Sequence, residues 1–100
     1  MTFAPTPVLH ADLASFVSFG EALTDMRRVG PTEWRSHCGG SSWKVAIAAS
    51  RLGQLSAFAG GISKDAFGQD LWQCSVDAAL DLRFIQQFAR SPLMSFLHEP

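Results

Sequence analysis

The stretch that decides the fold is CGGSSWKVAIAASRLG, residues 38–53, which is followed by LSAFAGGI at residues 55–62. Its alanine-rich centre predicts a helix over residues 42–52, since alanine has the highest intrinsic helix propensity. Ser41 or Ser42 is expected to cap the helix, because a serine hydroxyl can accept backbone N–H bonds at a helix start.

The end and the buried face of this helix can also be predicted. Gly53 stands where a left-handed residue commonly ends a helix. Val45, Ala49 and Leu52 are spaced by four and three residues, so we expect them to form the inner face. The apolar run at residues 55–62 then indicates a strand that is buried on both faces.

The flanking sequence continues this alternation of strands and helices. The run ASFVSFG is mostly apolar and predicts another strand buried on both faces, and Ser63 or Asp65 can cap a second helix. The first strand, the second helix and two later strands are predicted at residues 14–20, 66–79, 82–88 and 93–98. Strands that alternate with helices imply an α/β fold with a mainly parallel sheet.

The totals exclude several classes of protein. A chain of 100 residues with 47% hydrophobic and 17% charged residues is typical of one small globular domain. A net charge of -1 does not favour nucleic acid as a partner, and no apolar run reaches the roughly 18 residues that span a bilayer. Residues 1–12 do not resemble a signal peptide. Cys38 and Cys74 are far apart in the sequence, so we expect free thiols, a cytoplasmic protein and no metal site.

Three motifs occur in an order that is characteristic of a known family. They are SFGEALTDM at residues 18–26, the stretch at residues 38–53, and FAGGISKDAFGQDL at residues 58–71. Together they resemble the N-terminal portion of the PfkB, or ribokinase-like, carbohydrate kinases. The first motif is similar to the first strand of fructokinase-like and 2-keto-3-deoxygluconate-kinase-like members.

The resemblance implies a fold and a domain organisation. The family fold is a Rossmann-like, three-layer α/β core with a mainly parallel sheet and a small β lid. Residues 1–13 would be an irregular lead-in, and residues 14–100 an incomplete domain that corresponds to the N-terminal third of the family fold. Residues 26–38 would contribute strands to a partial lid. By itself, the turn signal Gly30-Pro31 indicates an irregular excursion or a small hairpin.

The resemblance also implies part of a sugar-binding site. Asp25 occupies the position of a family carboxylate that accepts hydrogen bonds from sugar hydroxyls. Without the family, a solvated turn aspartate is the simpler interpretation. Gly39 and Gly40 would let the backbone approach the ligand and would present helix N–H groups to it; the alternative is a plain loop before a helix.

Lys44 departs from the family pattern, which usually has an asparagine at this position to bind sugar hydroxyls. Lysine offers donors only and carries a charge. The explanation that we favour is lost or weakened sugar recognition. In the second explanation Lys44 extends into solvent, and in the third it pairs with the carboxylate of an acidic ligand.

The catalytic machinery of the family is not found in the sequence. The family motif Gly-Ala-Gly-Asp, which carries the catalytic base, is absent, and so is a P-loop. ATP with Mg²⁺ serves the full-length family, and we expect neither to bind this chain alone. We therefore expect this chain to be the N-terminal segment of an ATP-dependent carbohydrate kinase. It would contribute part of the site for a small-molecule sugar or sugar acid and would carry no catalytic residues of its own. The alternative is a truncated, non-catalytic remnant that acts as an interaction module or has no activity, and self-association or a missing C-terminal part would accompany either.

Overall fold

The computed structural model describes residues 13–97, so nearly all of the predicted lead-in at residues 1–13 lies outside the described residues, as does His98. The helices and strands in the described range alternate much as the sequence predicts. In chain order they are β1 (Phe16–Phe19), β2 (Leu23–Arg28), β3 (Trp34–Gly39), α1 (Ser41–Arg51), β4 (Ser56–Ser63), α2 (Ala66–Asp77), β5 (Ile85–Phe88) and β6 (Met94–Leu97).

The first sheet has the strand order β1–β4–β5, and all of its pairings are parallel. The helices α1 and α2 lie in the connections of this sheet, as crossovers between parallel strands require. The central strand β4 is the most buried strand, with Ala57 and Phe58 fully buried and Ile62 only 3% exposed. The predicted mainly parallel α/β fold is therefore confirmed.

The predicted burial of the first strand on both faces is wrong. Within the described residues β1 pairs with β4 alone and forms an edge of the first sheet. Val17 is 38% exposed and Phe19 is 76% exposed. An apolar run indicates burial only where neighbouring strands and a packed layer cover it, and β1 lacks a neighbour on one side.

The second sheet is small and has the order β3–β2–β6. The strands β2 and β3 form an antiparallel hairpin, with Leu23 opposite Gly39, and β6 pairs with β2 in parallel. The hairpin closes through a hydrogen bond from the Val29 N–H to the Glu33 carbonyl at 2.9 Å. Residues 26–38 thus contribute strands to a second sheet, as the family resemblance implied, and they form a hairpin rather than an irregular excursion.

The start of α1 differs from the prediction, while its end agrees with it. Gly40 is the N-cap with φ of 100°, and no side chain caps the helix, so Ser41 and Ser42 do not have the predicted role. At the other end Gly53 has φ of 93°, and its N–H donates to the Ser50 carbonyl at 3.0 Å. This is the left-handed helix end that the sequence predicted.

The buried face of α1 also differs from the prediction. Val45 is 49% exposed and Leu52 is 84% exposed, whereas Trp43, Ala46 and Ile47 are buried. The observed face has the spacing of three and four residues that a helix requires, but it begins two residues earlier. The reason is the large indole of Trp43, which offers more apolar area for burial than any other side chain of α1.

The helix α2 begins at the predicted aspartate cap. The Asp65 carboxylate accepts hydrogen bonds from the Gly68 N–H at 3.1 Å and from the Ser63 hydroxyl at 2.6 Å. These bonds lower the pKa of Asp65, because they stabilise its charged form. In residues 13–97, neither helix has the length and apolar character that crossing a membrane would require.

The hydrophobic core lies between the two helices and the first sheet. The indole N–H of Trp43 donates to the Ser75 hydroxyl of α2 at 2.9 Å, which joins the helices inside the core. The buried members of the core cluster are Ala22, Trp43, Ala46, Ile47, Phe58, Ile62, Leu71, Leu80 and Ile85.

Candidate functional site

Asp25 lies within β2, the second strand of the chain, although the motif at residues 18–26 that contains it resembles the first strand of the family. It is opposite His37 of β3, and its side chain is 21% exposed. Its carboxylate lies directly against Gly39: a Cβ added to Gly39 would be 2.9 Å from the Asp25 carboxyl carbon and closer still to one oxygen. Glycine at position 39 therefore makes the room that this carboxylate occupies, and Asp25 is not a turn residue.

Gly40 lies against the backbone of Glu21 and Ala22 rather than against Asp25. It adopts the left-handed region at φ of 100°, which side chains rarely adopt. A Cβ added to Gly40 would collide with the Glu21 carbonyl and would be 3.2 Å from the Ala22 α-carbon. The second glycine thus allows α1 to begin directly beside the backbone that leads into β2.

Lys44 lies in the first turn of α1 and points toward Asp25. Its ammonium nitrogen is 3.8 Å from an oxygen of the Asp25 carboxylate, and its side chain is 61% exposed. An ion pair with so much solvent contact contributes little to stability, typically about 0–1 kcal/mol. The contact nevertheless shows that the predicted residues Asp25, Gly39 and Lys44 lie together.

A cavity of about 450 Å³ lies beside the two charged side chains. It is lined by Asp25, Arg27, His37, Cys38 and Lys44. The two glycines are not among the lining residues, because Gly39 contacts Asp25 and Gly40 contacts the backbone before β2. The glycines therefore shape the position of the carboxylate and of the helix start rather than the cavity wall.

Arg27 and His37 are site residues that the sequence analysis missed. Arg27 follows Asp25 by two positions in β2, so strand alternation places both on one face. His37 lies directly opposite Asp25 in the antiparallel pairing. The spacing of two between Asp25 and Arg27 can be seen in the sequence, but it places them on one face only if residues 23–28 form a strand.

The cavity is lined by one carboxylate and two cationic side chains. The Asp25 carboxylate can accept hydrogen bonds from ligand hydroxyls, while Lys44 and Arg27 can donate to oxygen atoms or balance a negative charge. Cys38 has its pKa raised to about 12, chiefly by burial, and further by its hydrogen bond with Cys74 and by negative charge at Cys74 and Asp70. The Cys38 thiol therefore keeps its proton at neutral pH and is not a nucleophile for a ligand.

The chain resembles solved structures, although no protein-family model and no curated protein matches it. Fructokinase from Xylella fastidiosa with bound ATP is 30% identical, with a TM-score of 0.77 over 84% of this chain. Fructokinase from Halothermothrix orenii is also 30% identical, with a TM-score of 0.75 over 81% of this chain. A PfkB family carbohydrate kinase from Listeria grayi has a TM-score of 0.77 over 84% of the chain at 20% identity, which shows the fold alone.

The likeness covers only part of each relative. The chain spans 27% of the Xylella fastidiosa protein, 32% of the Halothermothrix orenii protein and 28% of the Listeria grayi protein. Over about four fifths of its length, the chain is therefore similar to fructokinases and has the fold of the PfkB, ribokinase-like carbohydrate kinases, which confirms the resemblance predicted from its sequence.

Proposed function

We propose that this chain supplies part of the sugar-binding site of an ATP-dependent carbohydrate kinase, which transfers a phosphoryl group from ATP to a sugar hydroxyl. One observation carries the proposal: the Asp25 carboxylate, held against Gly39, lines a cavity together with Lys44 at the start of a helix. The similarity to two fructokinases supports a sugar as the ligand.

Each predicted residue has a chemical role in this proposal. Asp25 accepts hydrogen bonds from one or two sugar hydroxyls, since an ionised carboxylate is an acceptor with two oxygens. Gly39 fixes the position of that carboxylate through close contact. Gly40 starts α1 without a side-chain cap, so first-turn N–H groups remain available to a ligand oxygen.

ATP and Mg²⁺ would supply the phosphoryl group and the charge that stabilises its transfer. Among residues 13–97 no cluster of three or more His, Cys, Asp or Glu side chains could hold a metal ion. The sequence also contains no P-loop motif. The proposal therefore assigns residues 13–97 to the acceptor sugar only.

The contact between Lys44 and Asp25 is compatible with a neutral sugar. Their separation of 3.8 Å is too long for a direct hydrogen bond. A ligand hydroxyl beside both groups can donate to the carboxylate and accept from the ammonium group. Lys44 would weaken recognition only to the extent that its charge competes with the hydroxyl for Asp25.

A sugar acid is the second candidate ligand, and the charges of the cavity favour it. Two fixed cations, Lys44 and Arg27, line the cavity against one carboxylate, Asp25. A ligand carboxylate placed near the cations would balance the excess positive charge and gain charge-assisted hydrogen bonds. The acid group would approach from the side of Lys44, and the hydroxyls would remain with Asp25.

Calorimetric titration of the chain with fructose, ribose, 2-keto-3-deoxygluconate and ATP tests the proposal. Hydrogen bonds to a charged group are worth about 1.5–3 kcal/mol, so Asp25→Asn should weaken sugar binding about 10- to 100-fold. Asp77→Asn, the same change on α2 outside the cavity, should leave binding unaltered. Equal sugar affinity in wild type and Asp25→Asn, or no binding of any sugar, would leave the non-catalytic interaction module as the better account.

A lysine series separates the two ligand classes. If the ligand is a sugar acid, Lys44→Ala should reduce binding of 2-keto-3-deoxygluconate and leave fructose binding unchanged. If Lys44 only weakens recognition of neutral sugars, Lys44→Asn should tighten fructose binding. Lys64→Ala removes an exposed lysine outside the cavity and serves as the control. Binding of 2-keto-3-deoxygluconate that survives Lys44→Ala unchanged would rule out the acidic ligand.

A further inference from the structure

The fold brings together the two cysteines of the sequence. Cys38 lies in β3, next to Gly39, and Cys74 lies in α2, 36 residues later. Their sulfur atoms are 3.0 Å apart, and both are free thiols. Both side chains are only partly buried, so the pair is not sealed inside the core.

We propose that Cys38 and Cys74 form a reversible intramolecular disulfide that joins the second sheet to α2. A disulfide has an S–S bond of about 2.05 Å, so the sulfurs need to approach by about 1 Å. Side-chain rotation can supply such a movement, and no other residue lies between the two sulfur atoms at a separation of 3.0 Å.

Small oxidants can reach the pair from two sides. A cavity of about 740 Å³ is lined by both cysteines together with Trp43, Lys44 and other residues of α1. A second cavity of about 350 Å³ is lined by both cysteines together with Thr24, Ser36 and residues of α2. A buried pair of structural thiols would lack such access and would be inert.

The reaction balances with a low-molecular-weight disulfide such as oxidised glutathione as the oxidant. The Cys74 thiolate attacks one glutathione sulfur, which breaks the glutathione S–S bond and releases one glutathione thiolate. Cys38 then loses its proton and attacks the Cys74 sulfur, which forms the protein disulfide and releases the second glutathione. Two protein thiols are oxidised, one glutathione disulfide is reduced to two thiols, and the two protons pass to the released glutathione.

The protonation of Cys38 decides the order of these steps. Burial first, and then its contact with Cys74, hold the pKa of Cys38 near 12, so Cys38 is a poor initial nucleophile. The first attack is therefore assigned to Cys74. Cys38 loses its proton in the second step, when it resolves the mixed disulfide at Cys74.

The disulfide would act on the wall of the candidate site. Cys38 lines the cavity that contains Asp25 and Lys44, and it directly precedes Gly39. Bonding to Cys74 would hold this part of β3 against α2 and limit movement of the cavity wall. This consequence for ligand binding rests on the proposed function, whereas formation of the disulfide does not.

Peptide mapping of the full chain tests the disulfide itself. The wild-type chain is incubated with oxidised glutathione, the remaining thiols are alkylated, and the chain is digested with trypsin without reduction. Trypsin can cleave after Arg35, Lys44, Lys64 and Arg83, so the two cysteines fall in separate peptides, 36–44 and 65–83. We expect these peptides to be linked and to separate after treatment with dithiothreitol.

Thermal unfolding gives a second readout. Closing a loop of this length should raise the melting temperature of the oxidised chain by about 10–20 °C relative to the reduced chain. Cys38→Ser and Cys74→Ser should each show neither the linked peptide nor the shift. Recovery of both cysteines as alkylated or glutathione-bound peptides, or linkage only between two chains, would overturn the proposal. Neither readout depends on sugar binding, so the disulfide and the proposed function can fail separately.

Discussion

The first sheet buries both ends of its central strand, whereas the second sheet leaves most of β3 exposed. In β4 the first three residues and the last two are buried. In β3 four of six residues are exposed, and only Gly39 is buried. Apolar packing against α1 and α2 holds the first sheet, while backbone pairing holds much of the second. Exposed strands tolerate charged residues, which is why the candidate site lies on the second sheet.

The largest expected effect is the difference in the free energy of unfolding between two variants, each of which lacks one phenylalanine of one sheet. Phe58 of β4 is fully buried, so Phe58→Ala should lower the free energy of unfolding by about 3–5 kcal/mol. Phe96 of β6 is 55% exposed and makes an edge contact with Trp34, so Phe96→Ala should cost about 1 kcal/mol. Equilibrium unfolding in urea measures both. Equal losses would mean that the second sheet is packed as firmly as the first.

The hydrogen bond between the helices should have an intermediate effect. Ser75→Ala leaves the buried indole N–H of Trp43 without its acceptor, which should cost about 1–3 kcal/mol. Trp43→Phe should lose about 0.5–1.5 kcal/mol through the missing bond, because the Ser75 hydroxyl keeps its hydrogen bond to the Leu71 carbonyl. Because the two residues share one hydrogen bond, the double variant should lose about 1 kcal/mol less than the sum of the single variants. Urea unfolding of the four proteins gives this coupling energy. Strictly additive losses would show that the bond does not help to hold the helix layer on the first sheet.

Lowering the pH should give the smallest loss in the free energy of unfolding. We expect this loss to arise beside the first sheet, at Asp81. Asp81 forms a bridge with Ala57 of β4, and its carboxylate pairs with Arg83, which lowers the pKa of Asp81 below its usual value. The unfolded chain therefore takes up this proton first, near pH 4, and the native state loses stability as the pH falls further through the folded pKa. Asp81→Asn should flatten the pH dependence of unfolding below pH 4.

The partner of Asp81 provides the check on this interpretation. Arg83→Gln removes the cation that lowers the pKa of Asp81, so it should flatten the same limb of the curve. Urea unfolding at several pH values between about 3 and 6 measures the effect, since aspartate titrates at the acid end of this range. If both variants keep the wild-type slope of unfolding free energy against pH, Asp81 does not contribute to the acid sensitivity.

The sequence predicted those features that depend on local chemistry or on strong burial. The left-handed Gly53, the cap at Asp65 and the buried strand β4 were all predicted correctly, because each follows from a few adjacent residues. Of the second sheet, the sequence itself predicted the strand β6, whereas the lid strands β2 and β3 were expected from the family resemblance, since they lack an apolar pattern. Arg27 and His37 were missed for the same reason.

Long-range packing explains the other differences. Apolar spacing within α1 is compatible with two faces, and the contact of Trp43 with α2 decides which of them is buried. The 3.0 Å approach of Cys38 to Cys74 likewise depends on how β3 packs against α2. The proximity of Asp25 to Gly39 was inferred from the family, and the hairpin register supplies its physical cause.

Nuclear magnetic resonance of the backbone amides during titration with fructose tests the central claim most directly, namely that a carboxylate on the second sheet and the start of α1 form one sugar site. We predict concentration-dependent shifts at Asp25, Arg27, Gly39, Gly40 and Lys44, with the amides in the centre of β4 unchanged. Shifts confined to β4 or α2, with none at Asp25 or at the start of α1, would contradict the account.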